Sequence, residues 1–153
     1  MEERWHEQLR NSDDLNGLNY MKTFIDPGVL MTAWRGQGAE QRRALSVLDD
    51  PRREFVSSPF VQLAVLAVAG YQQRQDEIEF YERFFAGVTI WVTDCEQIVA
   101  DGLEVARRFG LEPMDAMHLA AALLAGASEF VTAARPPSPF SRVAGITVLT
   151  VCR

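Results

Sequence analysis

Apolar and polar positions along this chain alternate between a two-residue and a 3.6-residue rhythm, and the switches between them mark out the elements. Thr23-Phe24-Ile25-Asp26 is a strand pattern beginning at Met21. Pro27-Gly28 turns the chain into a short helix over 29–34. A second helix over 37–48 sets Ala44, Leu45 and Leu48 on one face and Arg42 and Arg43 on the other. A brief strand over 53–56 leads to Ser57-Ser58-Pro59, a helix start with a serine cap and a proline whose missing N–H costs nothing there. The helix over 60–69 is apolar nearly all round, which predicts burial. Residues 73–85 form an amphipathic helix carrying Asp76, Glu77, Glu79 and Glu82.

The second half repeats the alternation. Val88-Thr89-Ile90-Trp91-Val92 is β-branched with little alternation, which predicts a strand covered on both faces. Thr93 or Asp94 caps a helix reaching Phe109, and Gly110 ends it. Pro113 opens a helix over 114–125, closed by Gly126. Strands over 129–132 and 146–151 flank a loop over 133–142 with three prolines. Strands alternating with helices through short connections predict a three-layer α/β/α fold with a central parallel sheet of four to five strands. Met114, Met117, Leu124, Trp91 and the 60–68 run are the expected core.

A length of 153 residues suits one domain. The formal charge of −6 excludes a protein that is basic all over, so any nucleic-acid contact rests on a local patch. Residues 1–20 carry five acids against two arginines, and residues 135–153 carry three arginines and no acid. Fourteen of the 15 basic residues are Arg, which suits bidentate phosphate contacts and equally reflects a genome rich in G and C. Residues 1–20 are polar, acidic and without periodicity. They read as an N-terminal extension ahead of a domain at 21–153, with Met21 as the biological start, or as a packing or partner-binding arm. Cys95 and Cys152 lack metal or disulfide-framework spacing. No secretory signal opens the chain, and its longest apolar run falls below the roughly 20 residues of a membrane span. The expectation is a cytoplasmic protein with no membrane contact.

In an open α/β sheet, ligands sit beyond the carboxyl ends of the strands. Asp26 ends the first strand, Thr132 ends a later one, and Asp115 stands in the first turn of a helix, where its charge is favoured. Gly36-Gln37-Gly38 lacks the third glycine and preceding strand of a dinucleotide site.

Five segments resemble PIN domains in order and spacing: Phe24-Ile25-Asp26-Pro27-Gly28-Val29-Leu30, Val56-Ser57-Ser58-Pro59-Phe60-Val61-Gln62-Leu63, Met114-Asp115-Ala116-Met117-His118-Leu119-Ala120-Ala121-Ala122, Phe130-Val131-Thr132, and Gly145-Ile146-Thr147-Val148-Leu149. The resemblance runs from about Met21 to Val151 and is greatest to the VapC-type toxins of toxin–antitoxin pairs. It implies a ribonuclease whose acids hold Mg²⁺ or Mn²⁺, hard cations that take oxygen ligands and activate water against a phosphodiester. It also implies RNA as substrate, an antitoxin-type protein partner and a homodimer. Of the four family acids, two match Asp26 and Asp115. The other two positions are Ala64 and Ala134. Natural loss and deliberate removal both end in alanine. With half its carboxylates gone, the site is expected to cleave RNA weakly or not at all. The alternatives are a non-catalytic module binding RNA or protein, and an inactivated form of an active toxin.

Other residues complete the expected site. Asp94 is a metal candidate or a plain helix cap. His118, three residues after Asp115 on the same helical face, contacts phosphate, orients a carboxylate, or packs beneath the site. Thr132 hydrogen-bonds Asp26 or a metal-bound water, or merely ends a strand. Arg135, with Arg142, Arg35 and Arg42 or Arg43, holds RNA phosphates or stays solvated. Glu129 reads as a surface residue. The antitoxin contact is expected on the helices over 29–34 and 37–48, with Trp34 as anchor or core.

Overall fold

The computed structural model describes residues 20–153, so the reading of residues 1–20 as an extension or arm falls almost entirely outside it. Strands β1 (Met21–Ile25), β2 (Arg53–Ser57), β3 (Ile90–Trp91), β4 (Glu129–Thr132) and β5 (Thr147–Thr150) form one sheet in the order β3-β2-β1-β4-β5. Every pairing is parallel. The helices are α1 (Pro27–Arg35), α2 (Gly38–Leu48), α3 (Pro59–Tyr71), α4 (Gln75–Ala86), α5 (Cys95–Phe109) and α6 (Pro113–Leu124), with a 3₁₀ turn at Pro139–Arg142. Right-handed crossovers from β1 through β3 place α1–α4 on one face, and the return to β4 places α5 and α6 on the other. The contacts agree: α1 packs on α2, α3 and α4, and α5 packs on α6. This is the expected three-layer fold, with five strands.

Local chemistry accounts for most element ends. Pro27, Pro59 and Pro113 open their helices. Asp94 caps α5 by accepting the Gln97 N–H at 3.1 Å. Gly110 closes that helix at φ 69°, and a Cβ there would sit 3.2 Å from the Arg142 guanidinium. Gly102 lets α5 approach α6 closely, since a Cβ would meet Met117 Cγ at 3.1 Å. The core stacks Phe24 on Phe130, with ring centroids 5.5 Å apart, and Phe140 closes over Phe130 at 5.2 Å.

Four expectations need correction. The α3 helix is not buried all round: Val61, Val65 and Ala69 face inward, while Leu63, Val68 and Tyr71 are exposed, Tyr71 at 89%. A helix in an outer layer has only one stripe to offer the sheet. The strand expected over 88–92 pairs for only two residues at the sheet edge, and Trp91 is 36% exposed rather than core. Met114 and Leu124 are likewise exposed. Glu129 is buried, because β4 lies inside the sheet between β1 and β5. Its carboxylate accepts the Thr23 hydroxyl and Arg53 Nε, each at 2.6 Å. Finally, Ser58 occupies the N-cap position of α3, yet neither the Ser57 nor the Ser58 hydroxyl has a hydrogen-bond partner.

Candidate active site

The chain runs outward from β1 to β2 and β3, then returns to place β4 on the opposite side of β1. That reversal opens a crevice at the carboxyl ends of β1 and β4, where α/β sheets bind ligands. A cleft of about 440 Å³ lies there, and Asp26, Ala64, Asp115, His118, Thr132 and Ala134 all line it. The sheet delivers Asp26 and Thr132, α6 delivers Asp115 and His118 one turn apart, and α3 delivers Ala64.

Asp26 is buried and held from one side. The Thr132 hydroxyl donates to its Oδ2 at 2.9 Å, and the Ala134 N–H donates to the Thr132 hydroxyl at 3.2 Å. Burial pushes the Asp26 carboxyl up to about 7; the Thr132 hydrogen bond opposes this, and the Asp115 charge adds to it. Asp115 is half-buried, and its carboxyl is raised first by burial and then by the Glu112 charge. His118 is buried, which drives its imidazole down to about 4 and leaves it neutral. Its Nδ1 has no hydrogen-bond partner.

Other sequence candidates lie elsewhere. Asp94 caps α5, is exposed, and does not line the cleft. Arg135 leaves the loop after β4 and pairs with Glu40 of α2 at 2.5 Å. Arg35 pairs with buried Glu77 at 2.7 Å, so it serves the joint between α1 and α4. Trp34 is 38% exposed with one side against Phe80, so it is not core. Sequence reasoning missed Phe140, whose ring walls the cleft from the 3₁₀ turn. The only local signal was an aromatic residue within the proline-rich loop.

A divalent hard cation needs about six oxygen ligands. Among the described residues, no three His, Cys, Asp or Glu side chains gather closely enough to hold an ion. The cleft offers two carboxylates, and two methyl groups where further acids are expected. This donor set does not fit a tightly held Mg²⁺ or Mn²⁺.

The family model for the PIN domain matches residues 23–144. No curated protein matches the chain. Among solved structures, a toxin–antitoxin complex from Klebsiella pneumoniae is similar at 19% identity and TM-score 0.63, over 85% of this chain and 98% of that one. VapBC2 from Rickettsia felis, bound to a DNA fragment from its promoter, is similar at 12% identity and TM-score 0.64, covering 85% and 98%. DNA-bound VapBC from Salmonella typhimurium is similar at 17% identity and TM-score 0.61, covering 86% and 99%.

Proposed function

The chain belongs to the PIN domain family, and on that premise we propose that it is a VapC-like, toxin-type PIN protein with a depleted acidic site. RNA cleavage by this chain is weak or absent, and the cleft acts chiefly as a binding surface. The observation that carries this reading is the meeting of Ala64 and Ala134 with Asp26 and Asp115 in one cleft. Each missing carboxylate removes both an oxygen ligand and a charge from any ion held there, so Mg²⁺ or Mn²⁺ is held weakly.

The remaining residues suit phosphate binding without cleavage. Protonation of Asp26 near neutrality lowers the negative charge that an RNA phosphate meets. His118 and Thr132 supply polar contacts within the cleft. An antitoxin-type protein is the proposed partner, supported by the toxin–antitoxin complexes among the structural neighbours. A homodimer is supported by the apolar side chains of α3 (Leu63, Val68, Tyr71) and α5 (Val99, Leu103), which are exposed among the described residues.

The test compares RNA cleavage in Mg²⁺ or Mn²⁺ by this chain and by an Ala64→Glu/Ala134→Asp double variant. We expect cleavage near background for the chain and a clear gain for the variant. Calorimetry should show Mn²⁺ affinity rising about tenfold or more per restored acid, a step of about 1.4 kcal/mol each. Robust metal-dependent cleavage by the unaltered chain, abolished by Asp26→Asn, would overturn the reading.

A further inference from the structure

A second concavity lies apart from the acidic cleft. A groove of about 650 Å³ runs between α2 and the edge strand β5. Val47, Val131, Val148 and Val151 contribute apolar side chains, while Arg42, Arg43 and Arg153 supply its charge. Among the described residues, no acidic side chain lines it. In a chain of net charge −6 with 15 basic residues, three arginines around one apolar groove form a strongly polarised surface. Arg43 Nε donates to the Val151 carbonyl at 2.7 Å, which fixes that side chain against the strand.

Among the described residues, β5 pairs with β4 alone. The amides of Thr147 and Val151 point toward β4, donating to the Ser128 and Thr132 carbonyls. By strand alternation, Val148 and Thr150 turn their backbone groups to the open side. An exposed edge of this kind invites an added segment, and native proteins usually cover it.

The chain itself contains a complementary segment. Residues 1–20 carry Glu2, Glu3, Glu7, Asp13 and Asp14 against Arg4 and Arg10, together with the apolar Trp5, Leu9, Leu15 and Leu18. We infer that the acidic N-terminal segment of this chain occupies the arginine-rich groove beside β5. The reach is sufficient. β5 lies two strands from β1, about 10 Å away at 4.8 Å per strand. Val148 pairs with Phe130, which pairs with Phe24, so the groove begins three residues above Met21, about 10 Å along the strands. About five extended residues span the resulting 14 Å. Asp13 and Asp14 are then the first acids to arrive, with Glu7 and the Glu2–Glu3 pair beyond them.

The test uses the full chain carrying Arg42→Lys or Arg153→Lys, treated with a carbodiimide that joins a carboxylate to a lysine amine in direct contact. Coupling sites are read from tryptic peptides by mass spectrometry. Native Lys22, beside the segment in sequence, reports that the reagent reaches these acids. Arg83→Lys on α4 is the control outside the groove. We expect amide bonds from Lys at 42 or 153 to acids within residues 1–19, in monomeric species. Their yield should fall several-fold as ionic strength rises from about 0.01 M to about 1 M, where the screening length drops from about 30 Å to about 3 Å. Coupling through Lys22 without coupling at 42 or 153 overturns the inference. So does an equal yield at 83. Coupling confined to cross-linked dimers also overturns it, by assigning the groove to a second copy's segment.

Discussion

Replacing Asp26 with Asn tests whether burial in the cleft holds this carboxyl protonated far above its ordinary range. The side chain is 8% exposed, and its carboxyl lies at about 7 instead of the ordinary 3.8. Between pH 4 and 7 the folded chain therefore holds a proton that the unfolded chain has lost. Stability contributed by this group is fully present below pH 3.8 and is lost as pH rises through 7, at about 1.4 kcal/mol per unit. Three units amount to about 4 kcal/mol. Asn keeps an oxygen for the Thr132 hydroxyl and cannot ionise, so Asp26→Asn should be more stable than the parent by a margin that grows with pH. Urea unfolding at pH 5, 6, 7 and 8, at fixed protein concentration with a chelator present, reads this margin directly. A margin that stays constant within about 1 kcal/mol would refute the reasoning, because it would mean that Asp26 ionises as it does in water. His118 supplies the opposite sign. Its imidazole falls from 6.5 to about 4 on folding, so its contribution is lost as pH falls through that window, by about 3 kcal/mol. In the parent the two slopes cancel between about pH 4 and 6.5. Asp26→Asn should expose a rise with pH over that interval, and His118→Gln a fall.

Glu77 should be among the costliest acids to remove. It is 2% exposed and accepts Arg35 at 2.7 Å, Arg74 at 3.0 Å and the Tyr81 hydroxyl at 2.7 Å. Glu77→Ala strands these partners and should cost about 3 kcal/mol or more in chemical denaturation. Arg52→Ala, whose partner Asp50 also holds Arg53, should leave the denaturation midpoint essentially unchanged, since Arg52 is exposed and its ion pair is screened by water. Phe130→Ala empties the stack between Phe24 and Phe140 and should cost about 3–5 kcal/mol by the same measurement. Leu63→Arg with Leu103→Arg should turn a dimer into a monomer in sedimentation, with thermal unfolding of the monomer still cooperative. Unchanged sedimentation of a dimer would remove α3 and α5 as its interface.

Element order was legible because its signals are local. Prolines at first helical turns, glycines at positive φ and the change from a two-residue to a 3.6-residue rhythm act within a few residues, whatever surrounds them. Asp26 and Asp115 stood out for the same reason, one at a strand end and one in a first helical turn. Burial was less legible. Glu129 looks like a surface acid until β4 is known to lie inside the sheet, with Arg53 and Thr23 placed to receive it. The apolar run of α3 looks like core until only one stripe proves to face inward.

The amino-acid sequence by itself determined which elements form, that the first strand ends on an acid, and that two expected acids are alanines. Only the tertiary structure decided that Thr132, 106 residues along the chain, donates its hydroxyl to Asp26. It also decided that Asp94 stands outside the cleft and that an arginine-lined groove flanks the sheet edge. The physical reason is range. Backbone preference is settled among neighbours in sequence. Desolvation, charge coupling and an unpaired sheet edge depend on segments that meet only when β4 inserts beside β1.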